Sequence, residues 1–186
     1  MTARPPTPGQ TIGPFFGYAL PFDGGAELVA RTHPAALRLH GTVLDGDGAP
    51  VPDALLEIWQ ADSEGQIPQQ AGSLHRDGYT FTGWGRAATD NAGRYSFTTM
   101  APGAAESGRA PFLAMTVFAR GLLNRLFTRI YLPGDSGLDT DPLLASVPAE
   151  RRGTLIATPD ADGLRFDVVL QGPDETVFLT YPGHRG

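Results

Sequence analysis

The 186 residues are about one domain's worth of chain, and at 41% hydrophobic they can bury a sizeable core of their own. Cysteine and lysine are both absent, which excludes disulfides, thiolate metal sites, a thiol nucleophile, Schiff-base chemistry and a P-loop lysine. The formal charge of −6 lacks the basic footprint of a nucleic-acid binder, and neither a run of ~20 apolar residues nor a secretory-type apolar stretch after Met1 occurs, so the sequence predicts a soluble, cytoplasmic protein.

Glycine (24) and proline (17) make up more than a fifth of the chain, which favours many short strands over long helices. Residues 1–35 are proline-rich and weakly periodic and read as an extended N-terminal arm that crosses the surface or reaches a neighbouring chain. Residues 36–44 alternate at period two and end on Asp45-Gly46-Asp47-Gly48, a strand running into a turn. Further strands are predicted over 54–60, 93–99, 112–118, 126–132, 153–158, 164–171 and 176–180, with at most a turn or two of helix within 142–152. The fold class is therefore all-β: a β-sandwich of about eight or more short strands over residues 36–186, with an N-terminal arm and little helix.

Catalytic motifs are incomplete at every turn. The four histidines, His33, His40, His75 and His184, lie far apart with no H-x-H pair, and read as surface or hydrogen-bonded structural residues. Asp45 and Asp47 flank a glycine turn without the remaining ligands of a calcium loop. Glu57 with Asp62, and Asp135 with Asp139, could pair as acid and base, but carboxylates at turns ordinarily cap backbone N–H groups. No serine sits in a nucleophile elbow. Two arginines stand out: Arg120, in Phe118-Ala119-Arg120-Gly121, and Arg129, inside the strand Leu126 to Leu132. Each either faces solvent by simple alternation or is partly buried against a carboxylate, where its planar fork suits bidentate recognition.

The run Gly41-Thr42-Val43-Leu44-Asp45-Gly46-Asp47-Gly48-Ala49-Pro50-Val51-Pro52-Asp53-Ala54-Leu55-Leu56-Glu57-Ile58-Trp59-Gln60-Ala61-Asp62 resembles the core signature of the intradiol ring-cleavage dioxygenases. Gly85 to Thr99 and then Pro102-Gly103 continue it in order. Thr11-Ile12-Gly13-Pro14-Phe15-Phe16, Phe118 to Gly121, Thr128 to Tyr131, Arg165-Phe166-Asp167 and Glu175 to Phe178 narrow the likeness to the non-iron subunits of its hetero-oligomeric members. Iron-bearing members hold Fe(III) with two Tyr and two His; the matching positions here are Ile67, Ala105, Phe112 and Ala114, none of which can donate to a ferric ion. The resemblance thus implies that this chain binds no metal, carries no catalytic residue and is inactive alone. It implies a homologous beta subunit that brings Fe(III), and intradiol cleavage of protocatechuate by O2 to 3-carboxy-cis,cis-muconate in the complex. It also implies substrate-binding roles for Arg129, Arg120, Thr11, Gly13 and Pro14, and places the arm against the partner chain. A transthyretin-like scaffold or binding module without an active site would explain the missing ligands equally well, but not the arm and strand-arginine motifs that accompany them.

Overall fold

The computed structural model describes residues 16–70, 74 and 76–181. Within them lie nine strands: β1 Leu37–Leu44, β2 Leu55–Gln60, β3 Trp84–Ala88, β4 Arg94–Thr99, β5 Phe112–Phe118, β6 Leu126–Tyr131, β7 Thr158–Asp160, β8 Gly163–Arg165 and β9 Val168–Val169. Helix is limited to α1 Phe16–Ala19, α2 Pro142–Ser146 and a 3-10 turn over Ala149–Leu155. One sheet runs β4-β1-β8-β7 with β9 also on β1, and the other runs β3-β2-β5-β6. The predicted sandwich is what forms.

Period-two burial explains why the sheets stack. In β5, Leu113, Met115 and Val117 point inward while Phe112, Ala114, Thr116 and Phe118 point out. Leu39, Val43, Tyr95 and Phe97 of the facing sheet meet the inward set in one core, each large side chain contributing about 1.5–3 kcal/mol by its burial. A second, smaller core gathers Tyr131, Leu144, Val147 and Leu155 where α2 and the 3-10 turn lie on the edge of β6. Residues 16–35 also lie on the sandwich: Phe16 is buried, its ring 6.3 Å from that of Phe118, and Leu28 enters the main core.

Four segments differ from the sequence reading. Residues 153–158 are not a strand; the chain winds as a 3-10 turn to Leu155, because Pro148 and Gly153 accept i+3 bonds, Ile156 then makes an isolated parallel bridge to Tyr131, and strand β7 begins only at Thr158. Residues 176–180 form no strand either, since Leu179 N–H to Phe127 O at 2.7 Å and Thr128 Oγ1 to Val177 O at 2.8 Å tie them to β6 without a continuous ladder. The predicted strand over 164–171 is split into β8 and β9, for between them the Asp167 carboxylate, not a backbone carbonyl, accepts the Thr42 N–H at 2.9 Å. Strand β3 escapes the pattern because, after Trp84, its glycine and two alanines are poor strand formers. Its Gly85 is required by packing, as a Cβ there would lie 2.4 Å from Leu28 Cδ1.

Candidate functional site

The outward residues of the β3-β2-β5-β6 sheet include Glu57, Trp59, Arg86, Phe112 and Arg129. Cross-strand register aligns Trp59, Ala114 and Arg129 on one line, and Glu57, Thr116 and Phe127 on the next. Arg86 is fully engaged: its Nε and Nη2 donate to Glu57 Oε1 at 2.9 and 2.6 Å, its Nη1 donates to Leu20 O at 2.8 Å, and its guanidinium covers the Trp84 ring.

Arg129 is different. Its guanidinium carbon lies 3.9 Å from the centre of the Phe112 ring, a close cation–π contact. Nη1 donates to Tyr131 Oη at 3.4 Å, while the buried Nε has no hydrogen-bond partner. Among the described residues no carboxylate comes within 4.0 Å of it. A half-buried cation without an anion is costly unless a ligand or partner supplies the charge. Arg120, by contrast, already has its carboxylate: Nη2 donates to Asp53 Oδ2, tying the β1–β2 loop to the end of β5. Six residues separate Arg120 from Ala114, the residue opposite Arg129, on the order of 20 Å of extended chain. The two arginines therefore do not converge on one point of this chain. Thr11, Gly13 and Pro14 lie outside the described residues.

Behind Arg129 stands a buried polar pair that sequence reasoning missed. Tyr131 Oη donates to Asp141 Oδ1 at 3.0 Å. Asp141 is the N-cap of α2: Oδ1 also accepts from Leu143 N at 2.9 Å and Leu144 N at 3.2 Å, and Oδ2 accepts from Ala110 N at 3.3 Å. Burial, first, and the Asp141 bond push the Tyr131 phenol up to about 12, against the opposing pull of the Arg129 cation. Two signals were present: Arg129 and Tyr131 are two apart on a strand, and Asp141-Pro142 is a helix-start dipeptide.

The remaining candidates resolve into structural roles. His40 Nε2 lies 3.2 Å from Asp160 Oδ1, and His33 Nδ1 accepts from Ala35 N at 3.2 Å, whereas His75 and His184 are outside the described residues. Asp45 caps its own turn by accepting from Asp47 N and Ala49 N, and Asp62 does the same with Glu64 N and Gln66 N. Glu57 is bound to Arg86, and Asp135 accepts from Gly137 N, so neither carboxylate pair is poised as acid and base. Among the described residues no group of three or more His, Asp or Glu gathers to hold a metal ion. Ile67 and Ala105 are exposed, Phe112 and Ala114 are outward on β5, and the Arg129 cation lies over Phe112. Apolar side chains beside a fixed positive charge do not fit a ferric ion. No helix among the described residues is long and apolar enough to cross a membrane.

Comparison with known proteins agrees with this picture. Residues 13–172 match the dioxygenase family. The chain is 40% identical to the protocatechuate 3,4-dioxygenase alpha chain of Burkholderia cepacia, over 96% of this chain and 99% of that one. It is 36% identical to the protocatechuate 3,4-dioxygenase beta chain of Burkholderia cepacia, over 73% of this chain and 64% of the other. Among solved structures, the dioxygenase domain of a dioxygenase and carbohydrate-binding protein fusion from Streptomyces sp. SirexAA-E superposes with a TM-score of 0.59 at 27% identity, covering 90% of this chain and 99% of that one. The match over residues 13–172 and these relatives show that the chain belongs to the intradiol dioxygenase family.

Proposed function

We propose that this chain is the iron-free alpha subunit of a cytoplasmic, hetero-oligomeric protocatechuate 3,4-dioxygenase, and that a homologous beta subunit brings the ferric ion. The observation that carries the reading is Arg129: a half-buried guanidinium, held over Phe112, with no carboxylate against it among the described residues. Protocatechuate differs from catechol by one carboxylate, and a planar fork fixed at the edge of a shared pocket meets that group by charge-assisted hydrogen bonds. On this reading Arg129 orients the substrate by its carboxylate, and Arg120, paired with Asp53, holds the β1–β2 loop. Thr11, Gly13 and Pro14 of the arm complete the pocket wall and bring residues 1–35 against the partner, while residues 36–186 are the sandwich. The partner's iron supplies the oxygen chemistry that turns protocatechuate and O2 into 3-carboxy-cis,cis-muconate; this chain binds and orients.

Two measurements test it. Purified alone, the chain is expected to lack iron, tyrosinate-to-iron colour and ring-cleaving activity, all three appearing on co-expression with the beta subunit; stoichiometric iron and turnover in the isolated chain would overturn the assignment. In the complex, Arg129→Ala is expected to raise KM for protocatechuate about tenfold or more, the worth of a hydrogen bond to a charged group, with little change for catechol. Equal losses on both substrates would remove Arg129 from the carboxylate contact.

A further inference from the structure

We propose that Tyr131 and Asp141 are positioning residues for substrate recognition: together with the Phe112 ring they bracket the Arg129 guanidinium and aim it at the substrate carboxylate. The inference rests on the reading of Arg129 given above. A guanidinium on a flexible stem loses rotamer freedom when it binds a ligand, so affinity is gained by fixing it beforehand. Here the fixing is built from two sides, one of them backed by Asp141. Phe112 lies under the plane at 3.9 Å, and Tyr131 Oη accepts from Nη1 at 3.4 Å. Tyr131 can accept there because its own proton is directed to Asp141 Oδ1 at 3.0 Å, which leaves an oxygen lone pair toward the cation.

Asp141 in turn cannot move. It is fully buried, and its two oxygens accept from three backbone N–H groups, two in the first turn of α2 and one from Ala110. The negative charge of Asp141 thus acts on Arg129 through the phenol without a direct ion pair. That arrangement holds the guanidinium and, among the described residues, leaves it without a carboxylate, so that its charge can meet an incoming anion. A salt bridge of the Arg120–Asp53 kind would have fixed the side chain equally well but consumed the fork.

The test uses the assembled alpha/beta complex with Tyr131→Phe, an isosteric change that deletes only the hydroxyl; Asp141 Oδ1 keeps its two α2 N–H donors. Expected are a roughly two- to tenfold higher KM for protocatechuate, the worth of one long hydrogen bond from the guanidinium to a hydroxyl, with kcat nearly unchanged and catechol kinetics as in the wild type. A crystal structure of the variant is expected to show the guanidinium displaced from the Phe112 ring, and Tyr131→Phe is expected to add nothing to Arg129→Ala in a double-mutant cycle. Asp141→Asn, which keeps an oxygen acceptor for the α2 N-terminus, is the second variant and is expected to shift KM in the same direction. An Arg129→Ala complex that discriminates between the two substrates beside a Tyr131→Phe complex that behaves as wild type, guanidinium in place, overturns the bracket alone. Loss of kcat on both substrates together with a lower melting temperature makes the pair merely structural and also overturns it. An Arg129→Ala complex with unchanged substrate preference overturns the reading of Arg129, and the bracket's role in recognition with it.

Discussion

Tyr131 shows how far one buried phenol ties the site to the fold. In an unfolded chain a tyrosine ionises near pH 10, whereas in the folded protein burial and the Asp141 bond hold this one at about 12. A folded value above the unfolded one means stability that is fully present below about pH 10 and is lost as pH rises through about 12. Tyr95, buried with its hydroxyl donating to Phe166 O at 2.5 Å, is pushed up as well, so alkaline destabilisation has at least two sources. The Tyr131 share is separable. The melting-temperature advantage of wild-type complex over Tyr131→Phe is expected to shrink between about pH 9 and about pH 11, and an advantage that stays constant would show that this phenol does not ionise on unfolding. Nothing in the sequence marked Tyr131 as buried. Its neighbours Arg129 and Ile130 read as an ordinary alternating strand, and the segment that covers it comes from α2 and the 3-10 turn, more than ten residues onward.

Strand β1 is the element on which most of the first sheet depends. It pairs antiparallel with β4 and, along its other edge, parallel with β8 and then β9. Where it passes from one partner to the next, Gly41 lies so close to the crossing chain that a Cβ would sit 1.9 Å from Phe166 O. No side-chain rotation relieves a clash with backbone. Gly41→Ala is expected to destabilise the protein by about 3 kcal/mol or more, beyond ordinary overpacking, read as loss of soluble complex or a lowered denaturation midpoint. A near-neutral Gly41→Ala would mean that the 166–168 segment is free to shift. The alternation of β1, β2, β4, β5 and β6 was legible because each has an apolar side facing the core and turn residues at its ends. At 164–171 and 176–180 the pairing is set by remote partners, such as the Asp167 carboxylate on Thr42 N–H, which short apolar runs do not encode, whereas at 153–158 local i+3 bonds replace the strand.

At the scale of the molecule, the proposed function requires that the face carrying Arg129 be the one turned toward the beta subunit. Trp59, in line with Arg129 across Ala114 and 42% exposed, lies on that face. A half-exposed tryptophan on a face that also carries an arginine suits an interface anchor, and truncating such a residue ordinarily costs about 2 kcal/mol or more of binding. Trp59→Asp is therefore expected to reduce co-purification of the two subunits severalfold while leaving the alpha chain folded by circular dichroism. Wild-type assembly of that variant would place the docking face elsewhere. Site legibility at this scale was uneven: missing iron donors can be seen in the sequence, residue by residue, but which arginine lacks a carboxylate depends on Asp53 meeting Arg120 across 67 residues of chain.

The guanidinium over Phe112 also bears on evolutionary history. It sets a positive charge against the outward side of β5, 3.9 Å from the ring centre. On the proposed reading, a lineage regaining iron in this subunit would need four donor residues and also the removal of that cation. Each reverse step taken singly leaves the ion excluded and gives selection nothing to retain. On that reading the division of labour between the two subunits acts as a ratchet, and the side chain proposed to greet the substrate is also the one proposed to keep the metal on the other side.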